Sequence, residues 1–157
     1  MSSFVCKKTY RIEYAHQLFD SYTTLCHETI HGHSGKIELV LKSANSNVQL
    51  DPNGMVIDFG EVSDFIKPAI MEKYDHALFM PCMFPKSYLD TLEQYNKRLT
   101  ITVENPTAEN FAKMIYDDVS ALLKLRNTTK RDGTAIVLES VTFWETETGC
   151  ATYCPED

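Results

Sequence analysis

Apolar and polar residues alternate along several stretches of the chain, which is the pattern of a β-strand with one buried face. Residues 35–44 show it most clearly, because Ile37, Leu39 and Leu41 alternate with mainly charged neighbours. This pattern and the content of β-branched and aromatic residues predict strands over residues 4–18, 35–44, 99–103, 134–147 and 150–154. The segments DPNG, RDG (131–133) and TETG predict turns, the last as a hairpin connection between the final two strands.

Helical spacing of apolar residues occurs in two other stretches. The helix predicted over residues 105–125 has an apolar stripe formed by Phe111, Ala112, Ile115, Val119, Leu122 and Leu123. Thr107 is suited to cap its N-terminus, and Glu109 lies in the first turn, where the helix dipole favours a carboxylate. Residues 61–74 predict a second helix, which Pro68 is expected to kink because its ring removes a backbone hydrogen bond.

The predicted order of elements is therefore β, β, α, β, α, β, β. The length of 157 residues fits a single domain over residues 1–157. We expect the strands to pair antiparallel with two helices covering one face of the sheet, which is the α+β class. Such a sheet leaves a second face or an edge for contact with another subunit.

Composition and charge narrow the possible functions. No apolar run approaches the ~20 residues needed to span a bilayer, and the N-terminal segment lacks the features of a signal peptide. We therefore expect a cytoplasmic protein that does not bind membranes. The net charge of −7 disfavours general nucleic-acid binding, which depends on Lys and Arg contacts to phosphate. An anionic small substrate would need a local positive group or a metal ion.

Three of the five histidines lie within the segment CHETIHGH, residues 26–33. On an extended segment, His31 and His33 point to the same face. His16 ends the first predicted strand, which could pair with the segment that carries the other two. Three neutral imidazoles could hold Zn²⁺ and leave one coordination position open, as catalytic zinc requires. The alternative is a set of solvated histidines in a polar loop.

Other polar residues suggest acid–base chemistry. Cys26 or Glu28 could remove a proton, since a thiol near a divalent cation has a lowered pKa. On an extended strand these two would face the same way, whereas in a turn only one need reach a substrate. Asp75 could orient His76 as a proton relay, more easily in a turn than on a strand. Glu145 could accept two hydrogen bonds from an amino-heterocycle. The alternatives are a buried thiol, a loop carboxylate, a loop ion pair and an exposed strand glutamate.

Taken together and in order, these segments resemble the family of 6-pyruvoyltetrahydropterin synthase and 6-carboxytetrahydropterin synthase. The matching segments are YAHQL, C…HGH, VIDF, YDHALF, NPTAEN and ETETGCATY, which cover nearly the whole chain. The resemblance implies the tunnelling fold, in which three subunits join their sheets into a barrel and two trimers stack as a hexamer. It also implies 7,8-dihydroneopterin triphosphate as the substrate.

The resemblance also implies roles for individual residues. These are the zinc ligands His16, His31 and His33, the base Cys26 with its relay Asp75 and His76, the pterin anchor Glu145 with Thr146 beside it, and Thr107 and Glu109 from a neighbouring subunit. The expected product is 6-carboxytetrahydropterin, a precursor of queuosine, or the related 6-pyruvoyltetrahydropterin.

The spacing C-x4-H-G-H departs from the usual bacterial C-x3-H-G-H. The segment ETIHGH resembles a subgroup in which glutamate replaces cysteine as the base and the product is 6-hydroxymethyl-7,8-dihydropterin, a folate precursor. This chain carries both Cys26 and Glu28. The base and the product therefore stay open at this point, and a non-catalytic pterin- or metal-binding module is the third alternative.

Overall fold

The computed structural model of the protein describes residues 4–129 and 135–156. Within these ranges the strands are β1 (Val5–His16), β2 (His31–Ser43), β3 (Ala77–Pro81), β4 (Leu99–Thr102), β5 (Ile136–Trp144) and β6 (Cys150–Tyr153). The helices are α1 (Thr24–Glu28), α2 (Phe59–Phe65), α3 (Lys67–Tyr74), α4 (Lys86–Tyr95) and α5 (Ala108–Thr129). The turn predicted at residues 131–133 lies outside the described residues. None of the described helices has the length and apolar character needed to cross a bilayer.

The six strands form one sheet in the order β4-β3-β1-β2-β5-β6. The longest ladder joins β1 and β2 antiparallel, from Val5 opposite Lys42 to His16 opposite His31, and β5 and β6 extend it antiparallel. β3 instead runs parallel to β1, and β4 parallel to β3. The α+β class is confirmed, but the expectation of a fully antiparallel sheet is wrong. The chain reaches β4 from β3 through α4, and such a helical crossover returns it in the same direction.

One face of the sheet carries the core. Even-numbered residues of β1 and odd-numbered residues of β2 point to this face, and side chains of α2, α3 and α5 cover them. Ile12 and Leu39 of the sheet and Phe111 and Ile115 of α5 are at most 1% exposed. This arrangement confirms the predicted helix face. The odd-numbered residues of β1 lie on the other face, where all are exposed or half-buried.

Two element boundaries differ from the prediction for local reasons. The helix predicted over residues 61–74 is divided into α2 and α3, and Pro68 lies in the first turn of α3. Its missing backbone N–H costs no hydrogen bond there. Asp58 accepts a hydrogen bond from the Gly60 N–H and caps α2. β2 begins at His31 rather than at residue 35, so the HGH segment belongs to the ladder with β1.

Candidate active site

Three histidines meet at one end of the β1–β2 ladder. His16 lies opposite His31, and His33 lies opposite Tyr14. Because paired strands place these residues on one face, the three imidazoles converge, with ring centroids 4.5 to 5.1 Å apart. A Cβ atom at Gly32 would lie 3.0 Å from the Tyr14 carbonyl oxygen, so glycine allows the two strands to approach closely here.

Backbone carbonyls fix the tautomer of two of these rings. His16 donates its Nδ1–H to the Pro106 carbonyl at 2.7 Å, and His31 donates its Nδ1–H to the Thr29 carbonyl at 3.0 Å. A neutral imidazole with its proton on Nδ1 has a lone pair on Nε2. The lone pairs of His16 and His31 therefore face each other, with the two Nε2 atoms 3.0 Å apart.

This arrangement fits a divalent metal ion. The ligand nitrogens of the three histidines lie within 4.8 Å of one another. Within the described ranges, the Nε2 of His33 is buried and has no hydrogen-bond partner. Facing lone pairs repel unless a cation lies between them, and neighbouring ligand nitrogens of a tetrahedral zinc site are about 3.3 Å apart. The Nδ1 hydrogen bonds to carbonyls are those that orient metal-binding histidines.

Burial keeps two of these rings neutral. It lowers the pKa of His16 to about 4, against the effect of the Pro106 carbonyl and with help from the other two imidazoles. Burial also lowers the pKa of His33, although the Glu145 carboxylate opposes it. At neutral pH, His16 and His33 can therefore bind a metal without losing a proton.

Glu145 reaches the histidines from β5. It follows the last residue of that strand, and its backbone N–H donates to the Gly149 carbonyl at 3.1 Å in the predicted hairpin. Its Oε1 lies 3.6 Å from the Nε2 of His16 and 3.8 Å from that of His33. Thr146 remains on the turn, where its Oγ1 accepts the Gly149 N–H at 3.0 Å. The sequence indicated a strand-end acceptor but not this approach to the histidines.

Tyr14 packs against the cluster from the core side. Its ring centroid lies 5.3 Å from that of His16 and 5.6 Å from that of His33. Burial raises the pKa of Tyr14 and the charge of Glu145 raises it further, although its hydroxyl makes no hydrogen bond of normal geometry with the described residues. The strand predicted over residues 4–18 includes Tyr14, but the sequence gave no signal of this packing.

Cys26 and Glu28 lie on α1, in the segment between β1 and β2. Cys26 is half-buried and Glu28 is exposed. Residues two apart on a helix are rotated by about 200° around its axis, so these two side chains point to nearly opposite sides. Only one of them can face a given site, and the same-side arrangement of an extended strand does not form.

A buried glutamine that the sequence analysis missed holds this segment. Gln17 is 6% exposed and directly follows β1. Its Nε2 donates to the His27 carbonyl at 2.7 Å, and its Oε1 accepts from the Tyr88 hydroxyl of α4 at 2.9 Å. The N–H of Leu18 donates to the Cys26 carbonyl at 3.0 Å. These bonds tie α1 to the end of β1 and to α4.

Asp75 and His76 form a pair in the turn between α3 and β3, as their adjacency suggested. Oδ2 of Asp75 lies 3.0 Å from Nδ1 of His76, and Oδ1 accepts the Glu13 N–H at 2.9 Å. His76 has a left-handed backbone with φ of 55° and a side chain that is 73% exposed. It shares a surface cleft with Glu13 and Ala15, which lie on the face of β1 opposite to His16. In the described part of the chain, the pair does not contact the three histidines.

The start of α5 carries the two remaining candidates. Thr107 caps the helix as predicted, because its Oγ1 accepts the Asn110 N–H at 3.4 Å. Glu109 is exposed in the first turn. Neither side chain is bonded to the three histidines within residues 4–129 and 135–156. The preceding Pro106 does reach the cluster through its carbonyl bond to His16.

Fold and site together define an α+β protein with a three-histidine centre suited to a divalent metal. The chain matches the family model of 6-pyruvoyl tetrahydropterin synthase over residues 5–156. It therefore belongs to the 6-pyruvoyl tetrahydropterin synthase family, as the ordered motifs predicted.

Two relatives illustrate the distance within the family. A 6-carboxy-5,6,7,8-tetrahydropterin synthase of Haemophilus influenzae is 28% identical over 152 residues, which cover 96% of this chain and 98% of that protein. One of Rickettsia conorii is 32% identical over 116 residues, which cover 72% of this chain and 79% of that protein.

Solved structures share the fold at low identity. An uncharacterized protein of Wolinella succinogenes aligns with a TM-score of 0.74 and 18% identity, covering 98% of both chains. The 6-pyruvoyl tetrahydropterin synthase of Caenorhabditis elegans aligns with a TM-score of 0.63 and 20% identity, covering 99% of this chain and 98% of that one. The predicted tunnelling fold of the subunit is therefore confirmed.

Proposed function

We propose that the chain is a zinc-dependent lyase that converts 7,8-dihydroneopterin triphosphate to 6-carboxy-5,6,7,8-tetrahydropterin. The observation that carries this proposal is the convergence of three imidazoles, with ligand nitrogens within 4.8 Å, at the end of β1 and β2. The Haemophilus and Rickettsia relatives bear the name of the enzyme that forms this product, which supports the choice. Residues 1–157 would form the single domain that carries out this reaction.

His16, His31 and His33 would hold the zinc ion. Bound zinc supplies a Lewis acid that lowers the pKa of the hydroxyl groups on the substrate side chain. The neutral imidazoles leave the charge of the ion uncancelled. Glu145 would accept hydrogen bonds from the 2-amino and ring N–H groups of the pterin, with Thr146 beside it on the rigid turn.

We assign proton removal to the Sγ of Cys26. A nearby divalent cation lowers the pKa of a thiol, so that the thiolate is available as a base at neutral pH. Gln17 and Leu18 fix the segment that carries Cys26 to the strand that carries His16. Glu28 is exposed on another side of α1, which favours the thiol over the carboxylate.

The relay pair would serve a neighbouring subunit. Asp75 accepts the backbone N–H of Glu13, and His76 shares a cleft with Glu13 and Ala15, whose side chains lie on the face of β1 opposite to His16. A side chain cannot pass through its own sheet, so this pair meets a set of zinc ligands only where two subunits adjoin. The pair would hold and return the proton at the Nε2 of His76, whose other ring nitrogen is held by Asp75.

The assembly that meets this requirement is a trimer, or a hexamer built from two trimers. Thr107 and Glu109, at the start of α5, would line the pterin pocket of an adjacent subunit. β4 and β6 are the open edges of the sheet, and pairing them between copies would remove both edges.

A second candidate product is 6-hydroxymethyl-7,8-dihydropterin. The segment ETIHGH favours it, because Glu28 stands where the resembling subgroup carries its base. The two reactions differ in the residue that removes the proton and in the product released.

The test is incubation of zinc-loaded protein with 7,8-dihydroneopterin triphosphate under anaerobic conditions, followed by mass identification of the product. Metal-free protein is the control. We expect 6-carboxytetrahydropterin. Formation of 6-hydroxymethyldihydropterin alone would support the second candidate. Complete recovery of the substrate after incubation with zinc-loaded oligomer would contradict both candidates.

A further inference from the structure

Glu145 is placed so that it can bind the metal itself. Its Oε1 lies 3.6 Å from the Nε2 of His16 and 3.8 Å from the Nε2 of His33. The Nδ1–H of His16 donates to a backbone carbonyl, so the Nε2 of His16 is an acceptor. The Nε2 of His33 has no hydrogen-bond donor among the described residues. A carboxylate oxygen is also only an acceptor. The group that would satisfy all three atoms is a cation between them.

The backbone of Glu145 is fixed while its side chain is partly free. The Glu145 N–H is bonded to the Gly149 carbonyl at 3.1 Å, and the Gly149 N–H is bonded to the hydroxyl of Thr146 at 3.0 Å. The side chain itself is one-third exposed, at 33%. A long, partly exposed side chain on a rigid turn can occupy two positions without moving the strand.

We propose that Glu145 is the fourth protein ligand of the metal when no pterin is bound, and that it leaves the metal when it accepts the hydrogen bonds of the pterin ring. This inference rests on the proposed function, in which Glu145 anchors the ring. The movement of this one carboxylate then couples binding of the pterin ring to the coordination of the metal. The fourth coordination position becomes available only when a pterin is seated.

The test uses cobalt(II) in place of zinc, because visible absorption of cobalt depends on the number and type of its ligands. The variants are Glu145→Gln, Glu145→Asp and the matched control Glu147→Gln on the same turn, where Glu147 is exposed. We expect a changed spectrum and an affinity for cobalt lowered by about tenfold or more in Glu145→Gln. Glu145→Asp, with a shorter carboxylate, should give an intermediate spectrum, and Glu147→Gln that of the wild type.

The probe for the second half of the proposal is 6-methylpterin, which lacks the side-chain hydroxyls that could bind the metal. It should shift the wild-type cobalt spectrum toward that of Glu145→Gln and leave the variant spectrum unchanged. A wild-type spectrum in both Glu145 variants would overturn the ligand assignment, and an unshifted wild-type spectrum at saturating probe would overturn the displacement. Both readouts are independent of turnover, so failure of the proposed reaction would be recognised separately by the product assay.

Discussion

Tyr88 donates its hydroxyl hydrogen to Oε1 of Gln17 across 71 residues of sequence, at 2.9 Å. This bond fixes which end of the buried amide faces the His27 carbonyl. It therefore sets the position of α1, which carries both candidate bases.

Removing the Tyr88 hydroxyl should destabilise the protein and loosen α1. Tyr88→Phe leaves the Oε1 of the buried Gln17 without its donor, at a cost of ~1–2 kcal/mol. Urea unfolding measures this cost, and hydrogen exchange of residues 24–28 measures the loosening. Tyr95→Phe on the same helix is the control, because Tyr95 is 75% exposed. Equal effects of the two variants would remove the positioning role of Gln17.

Zinc content should depend on the three histidines and not on others nearby. His31→Ala and His33→Ala each remove an Nε2 of the cluster, so zinc measured by mass spectrometry should fall from about one ion per chain to near zero. His27→Ala is the matched control, since the His27 ring contacts Ser21 and lies outside the cluster. Full retention in both variants would contradict the metal site.

Acidification should destabilise the metal-free protein through His16. Burial holds its folded-state pKa at about 4, below the unfolded value near 6.5. The contribution of His16 to stability is therefore complete above pH 6.5 and is lost as the pH falls toward 4. By pH 4.5 the loss is roughly 2–3 kcal/mol. The measurement is the free energy of unfolding in urea at pH 7.5 and at pH 4.5, on protein treated with a chelator. In His16→Asn, the difference between the two pH values should be smaller by about that amount.

Cys26 and Glu28 should have separable roles. Cys26→Ala should abolish formation of 6-carboxytetrahydropterin, because the proposed base is lost. Glu28→Ala should spare that reaction in part and remove any 6-hydroxymethyldihydropterin. Both variants should keep their zinc, since neither residue belongs to the three-histidine cluster. Full activity in Cys26→Ala with none in Glu28→Ala would reverse the assignment and place the chain in the folate-precursor branch.

Two inactive variants should restore activity when mixed, if the relay pair serves a neighbouring subunit. Cys26→Ala and His76→Ala damage different parts of a shared site, so some sites in mixed oligomers contain both intact residues. Random reassembly predicts recovery of about one quarter of wild-type activity. The assay is turnover after co-refolding, with each variant refolded alone as the control. No recovery in oligomers shown to be mixed would place the whole site within one chain.

The centre of the fold could be predicted because its segments have a strong periodicity of apolar residues. Ile37, Leu39 and Leu41 identified β2, and the apolar stripe that includes Phe111 and Ile115 identified α5. β3 was missed because all of its residues are buried, so it shows no alternation. α4 was missed although Tyr88, Leu89 and Leu92 follow helical spacing, because the helix is short and its apolar side is only half-buried.

The site was predictable only where its residues share a strand pair. Alternation and strand pairing placed His31 and His33 with His16. The approach of Glu145 depends on how β5 pairs with β2, which the local sequence does not specify. The Gln17–Tyr88 bond likewise depends on where α4 packs. The side of the sheet on which the Asp75–His76 pair lies depends on β3 pairing parallel to β1. The sequence had favoured antiparallel strands.

The separation of α1 from the start of β2 has a consequence for changes in chain length. Thr29 and Ile30 lie outside both elements, between the helix that carries Cys26 and the strand that begins at His31. An insertion or deletion in this connection can leave the β1–β2 register intact, but it moves the Thr29 carbonyl that accepts the Nδ1–H of His31. The bonds from Gln17 and Leu18 hold α1, with its thiol and carboxylate, at the end of β1. A change of one residue in this gap therefore acts first on the hydrogen bond that orients the His31 ring, while α1 keeps its attachment to the end of β1.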